Sequence, residues 1–275
     1  MISTALFRGA LAAICAAALA SGCGTRTAQS QETGVAAGAG AAAAHPAPAN
    51  PYAALARLPD WSGVWNPAFM RPPPRTPRPA PPKLTPKYAA QYAKVQAKNR
   101  KTPGINFVSD QASCVPPGVP QSMNEPYPIE FLFTPGRVTI LIETDHLVRR
   151  IWTDGRPLPK DPDPTYQGSS VGHWEGDTLV VETESILPDT SPMNGVNGHS
   201  AQFHVTERIR LVQPDMLAIT TTRTDPAVFV EPYTTTAYYQ RHRDWHIMEY
   251  VCEQNNHDAL DAHGNAAFSL SHKPE

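Results

Sequence analysis

Five residues, Gly168-Ser169-Ser170-Val171-Gly172, satisfy the G-x-S-x-G pattern that in hydrolases exposes a nucleophilic serine. That chemistry needs a strained strand-to-helix turn, and a helix must follow at once. Here Trp174, an acidic turn and a β-branched run follow instead, so the small residues read as the entry to a strand. Downstream lie His173 and Glu175, two apart and therefore on one side of a strand. His204 and Glu207 are three apart, which puts them on opposite faces and makes them poor co-ligands for a metal. His199 sits in a loop, "MNGVNGHS", from which it could approach a site. A catalytic zinc takes three protein ligands with recognisable spacing, and none of these spacings fits, so no metal is expected.

The side-chain parity of residues 202–212 singles out one group more sharply. Phe203, Val205, Glu207, Ile209 and Leu211 share a face; Gln202, His204, Thr206, Arg208 and Arg210 share the other. An ionised carboxylate on the apolar face requires a partner or a raised pKa. If the loop after this strand is Gln213 to Asp215, Leu211 faces Leu217, Ile209 faces Ile219, and Glu207 faces Thr221. Arg223 then lies diagonal to Glu207, and Arg149, alternating with Leu147 and Ile151, could also point inward. This set is expected either to brace the core as an ion pair or to anchor a ligand. Trp152 and Tyr250 join it as candidate ligand contacts. Glu207, His173, His199 and His204 are the candidate acid/base groups.

Such groups need a frame. After residue 114 the chain becomes a series of short alternating segments separated by turn residues, such as "PIEFLFT"/"RVTILIE" around Pro135-Gly136 and "SSVGHW"/"TLVVETE" around Glu175-Gly176-Asp177. With an opening "GVW" strand and a last one at "HIMEYVCE", nine or ten strands are expected. Their sequential order predicts a mainly β fold, an antiparallel meander closed or strongly curled into a barrel. One helix stands out. Thr85 can cap it, Pro86 suits its first position, and Tyr88, Tyr92 and Val95 form a stripe that should dock on the barrel. The Pro-rich run 70–82 should be an extended strap. No dinucleotide or phosphate-loop glycine pattern occurs, so no cofactor is expected.

The N-terminal part sets the compartment. Residues 1–22 combine Arg8, an apolar stretch too short to span a bilayer and a small-residue ending, which reads as a signal peptide. Residues 23–57, rich in Ala and Gly, read as a flexible tether, and residues 58–275 as a single folded domain with strap and helix at 70–102. The ending Ala20-Ser21-Gly22-Cys23 resembles a bacterial lipobox, which implies a diacylated Cys23 and membrane attachment in the periplasm. Gly24 after it favours the outer membrane; cleavage to a soluble secreted form is the alternative. In that oxidising compartment Cys114 and Cys252 are expected to form a disulfide, worth about 4–5 kcal/mol by loop entropy. The net charge of −2 gives no field to recruit nucleic acid.

Two resemblances follow from these motifs. Gly63-Val64-Trp65 on the first strand is similar to the G-x-W signature of lipocalins, in which the Trp closes the narrow end of the barrel. Residues 113–256, through "CVPPGVP", "TPGRVTILIE", "VRRIWTDGRPLP", "SVGHWEGDTLVVET", "HVTERIRLV" and "MEYVCEQNN", resemble a large family of exported bacterial proteins without an established activity. The chemistry expected is a binding module for a small amphipathic or apolar ligand in a barrel cavity. The alternatives are a hydrolase or lyase built on the inward Glu, and a structural or assembly partner in the envelope.

Overall fold

Alternation of apolar and polar residues, punctuated by two-residue turns, folds the chain into successive hairpins. In the computed structural model the described residues are 50–68, 79–101 and 115–250, plus two paired strand ends at Ala259–Leu260 and Ala266–Ala267. Nine strands close one barrel: β1 (Val64–Pro67), β2 (Ile129–Thr134), β3 (Arg137–Ile142), β4 (Leu147–Trp152), β5 (Ser169–Glu175), β6 (Thr178–Glu184), β7 (His204–Gln213), β8 (Met216–Thr224) and β9 (Tyr233–His242). Each strand neighbours the next in sequence, and β1 closes antiparallel onto β9.

Strict alternation would make β1 and β9, both odd-numbered, run the same way. Closure is antiparallel because one pairing is not: β4 and β5 are parallel, joined only at Ile151↔Ser170 and Trp152↔Val171. The other pairings are antiparallel, as the expected meander has them, and this seam alone departs from it. The cause lies in residues 153–168, where Pro157, Pro159, Pro162 and Pro164 cannot donate to a ladder, so the chain crosses over instead of forming a strand. Gly172 permits this seam, since a Cβ there would stand 2.9 Å from Ile151 Cγ2 and 3.0 Å from the Val180 carbonyl.

The inward faces of the strands form the main core, with Trp65, Ile140, Ile151, Leu179, Val181, Ile209, Leu217 and Tyr239 essentially inaccessible. Trp65 sits beneath the Arg241 guanidinium, 4.5 Å from its ring, and donates its indole N–H to the Trp61 carbonyl. The G-x-W tryptophan is thus a plug under the β1–β9 closure. Gly63, at φ +94°, makes the bend that brings it there.

A second core, which includes the inward-facing Val205 of β7, holds α1 (Pro86–Lys101). Tyr88 is buried and Tyr92 half-buried against Val196, Phe229 and Tyr233, which is the docked stripe. Thr85 Oγ1 donates to the Ala227 carbonyl, tying the helix start to the loop after β8.

Three further expectations meet the structure differently. A short 3-10 turn, Pro51–Arg57, opened by the Asn50 side chain accepting from Tyr52 N–H, lies within the segment expected to be tether. Residues 246–250 are not a strand. The signal segment, Cys23, Cys114, Cys252 and most of the Pro-rich strap lie outside the described residues, and no described helix is long and apolar enough to cross a membrane.

Candidate functional site

The register derived from parity is the one observed. Leu211 pairs with Leu217, Ile209 with Ile219 and Glu207 with Thr221, with Arg223 one step further along β8. Glu207 therefore points into the barrel and is fully covered, as is Arg149 from β4 on the far side. Arg149 Nη2 donates to Glu207 Oε2 at 2.5 Å and to Thr183 Oγ1 at 2.9 Å, with Ser170 Oγ at 3.5 Å; the two hydroxyls are 2.8 Å apart. Arg223, 3% exposed, donates Nη1 to Thr235 Oγ1 at 2.9 Å and lies over the Tyr233 ring.

This layer carries two cations and one anion in an interior closed to bulk solvent. Burial pushes the Arg223 guanidinium down to about 10, while Tyr233 and the charge of Glu207 oppose the fall. Burial chiefly, and then the same Glu207 charge, push the Tyr239 phenol well above its usual range. Arg149 Nε and Nη1, Glu207 Oε1, Arg223 Nε and the Tyr239 hydroxyl have no hydrogen-bond partner among the described residues. Apolar side chains at 0–1% exposure, including Val181, Val205, Ile209 and Leu217, flank the layer along the strands. Its geometry is that of a brace linking β4, β5, β6 and β7 across the lumen, held by charge and enclosed from solvent.

The histidines do not converge on it. His173 is on the outer surface, 3.2 Å from Glu175, which is itself 2.7 Å from Arg208. His204, also outward, contacts Glu182 at 2.7 Å. His199 is buried in the loop before β7, with Nδ1 donating to the Ser200 carbonyl at 2.9 Å and Nε2 facing Thr190 Oγ1 at 3.1 Å. Burial pushes its imidazole below the usual value. No acid/base pair for a hydrolase or lyase is assembled from Glu207 and these three rings. Ser170 faces the interior at the start of β5 with no helix after it, so the G-x-S-x-G match is not a nucleophile turn. Among the described residues no group of three or more metal-type ligands is brought together.

Trp152 and Tyr250 lie apart from the inner layer. Tyr250 packs edge-on against Tyr127, and its N–H donates to His146 Nε2. Trp152 lines a cleft of about 550 Å³ at the β4–β5 seam, together with His146, Val148, Arg150, Arg156 and Tyr166. Arg156 stacks on the Trp152 ring at 3.9 Å and is held there by Asp154, through bonds of 2.6, 2.9 and 3.0 Å. No carboxylate lines the cleft, and among the described residues Arg150 has no acidic partner.

Sequence reasoning had Trp152 but missed Arg150, Arg156 and Tyr166, because their meeting depends on the parallel seam. One signal was available: the Asp154-Gly155 turn, with Gly155 at φ +82°, folds Arg156 back over Trp152. Comparison with known proteins adds no relative, since no family model and no curated protein matches the chain.

Proposed function

We propose that this protein is a binding module for a small amphipathic anion, taken up in the cleft at the β4–β5 seam and not along the barrel axis. The observation that carries the reading is the composition of that cleft. Its volume falls in the range of small-molecule sites, and its walls combine Trp152, Tyr166 and prolines with Arg150 and with Arg156, which Asp154 pairs. Arg156 is already oriented by Asp154, so little side-chain entropy is lost on meeting an anion. Arg150 is the uncommitted charge. The barrel supplies rigidity: the Arg149–Glu207 brace fixes the strand ends that form one wall.

The leader and the Cys23 motif support display of this module in the periplasm on a lipid-anchored tether. The motifs from "CVPPGVP" to "MEYVCEQNN" support membership of the exported bacterial group that they resemble.

A sulfonated naphthalene dye tests the binding reading. It is expected to quench or shift tryptophan emission saturably, with Arg150→Glu weakening the interaction about tenfold or more. Equal binding by Arg150→Glu would remove the cleft as the site.

A further inference from the structure

β4 is paired along its whole length with β3, from Ile142↔Leu147 to Arg137↔Trp152, yet with β5 only at its last two residues. The segment that would have continued β5 backwards is engaged elsewhere. Thr165 donates its N–H to the Ser185 carbonyl and accepts from Leu187 N–H, while the Tyr166 carbonyl accepts from Val119 N–H. Gly168, at φ +61°, turns the chain out of line with β4. Leu147 N–H is satisfied by the Thr144 carbonyl. On the side away from β3 lie the N–H and carbonyl of Val148 and the N–H of Arg150, ahead of the ladder to β5, which begins at Ile151↔Ser170; among the described residues no strand pairs with them there. That strip of edge borders the cleft, where Val148 and Arg150 are also exposed.

An open strand edge carries a row of amide and carbonyl groups that templates another strand. Here the edge stands next to two arginines, Arg150 and the Asp154-paired Arg156, and two aromatic side chains. We propose that the occupant of the seam cleft is an extended acidic peptide segment, added as a short strand to β4 between Leu147 and Trp152. Its main chain pairs with Val148 and Arg150, and its acidic side chains meet Arg150 and Arg156. At about 3.3 Å per residue, a strip of three residues spans about 10 Å, so the segment needs only four to six residues. Main-chain bonding supplies affinity and the basic rim supplies selectivity, as in other strand-addition sites. The inference rests on the ligand-binding reading of the same cleft and names the class of ligand.

The test uses the full-length protein and a fluorescein-labelled hexapeptide of alternating Glu and Val, followed by anisotropy. Saturable binding that falls with salt and is lost for the Lys-for-Glu peptide is expected. N-methylation of alternate amides should weaken binding about tenfold or more in one phase and leave the other phase unaffected, because a strand offers only every second residue to one neighbour. Arg150→Glu should weaken the parent peptide similarly. Equal binding by both N-methylated peptides, or binding of the naphthalene sulfonate without any peptide binding, overturns strand addition and leaves the cleft reading standing. Binding of neither probe overturns both. Peptide binding that appears only after removal of residues beyond Tyr250 assigns the edge to the chain's own tail and also overturns the proposal.

Discussion

Glu207→Gln is the most informative single change in the barrel. The amide keeps the shape of the carboxylate and can still accept from Arg149 Nη2, so packing is preserved while the charge is lost. Glu207 and Arg149 both have 0% exposure and Arg223 has 3%, so solvent cannot compensate. The native layer holds two cations and one anion, a net of one positive charge; the variant holds two. Removing one partner of a buried pair costs roughly 3–5 kcal/mol, most of it the unopposed charge left behind. At about 2–4 °C per kcal/mol for a domain of this size, the melting midpoint should fall by roughly 6–20 °C. Arg149→Met removes the one hydrogen bond to Glu207 among the described residues and leaves its buried carboxylate unpaired, so it should cost at least as much as Glu207→Gln. An Arg149→Met/Glu207→Leu double variant should be more stable than the Glu207→Gln single. Urea unfolding followed by tryptophan fluorescence and far-UV circular dichroism measures all three, provided the slopes stay equal. Glu207→Gln within about 1 kcal/mol of wild type would refute the brace, because ordinary surface changes already reach half that size.

Two other outcomes are expected. The His199 imidazole is held below its ordinary value of 6.5 by burial, so the unfolded chain takes up a proton at a pH where the folded one does not. Stability from this site is therefore complete above about pH 6.5 and declines as pH falls toward the lower folded-state value; His199→Asn should flatten that decline in pH-dependent urea melts, and an unchanged slope would contradict it. Gly195, at φ +89°, approaches the Tyr92 ring so closely that a Cβ would stand 2.9 Å from it. Gly195→Ala should loosen α1 from the barrel, seen as faster proteolysis within 86–101 and about 1–3 kcal/mol of lost stability, with the barrel's own spectrum intact.

The barrel was legible in the chain because each hairpin is a local event. Two-residue turns such as Gly176-Asp177 and period-two alternation fix register between neighbours, and register fixes which face each side chain takes. Glu207, Thr221 and Arg223 could be placed for that reason alone, and the apolar run around Glu207 demanded a cationic partner. Which cation it would be was not local. Arg149 reaches Glu207 because the sheet curls over β5 and β6, turning the inner faces of β4 and β7 toward each other.

The sequence by itself determined the nine barrel strands, their order, the docked helix and the buried carboxylate, since each follows from periodicity, turn chemistry or the cost of burying a charge. The tertiary structure alone decided the parallel β4–β5 seam, the edge groups of Val148 and Arg150 and the cleft beside them. Those features depend on where residues 153–168 cross and what Thr165 and Tyr166 bond to. A crossover between non-adjacent segments leaves no periodic mark in the chain.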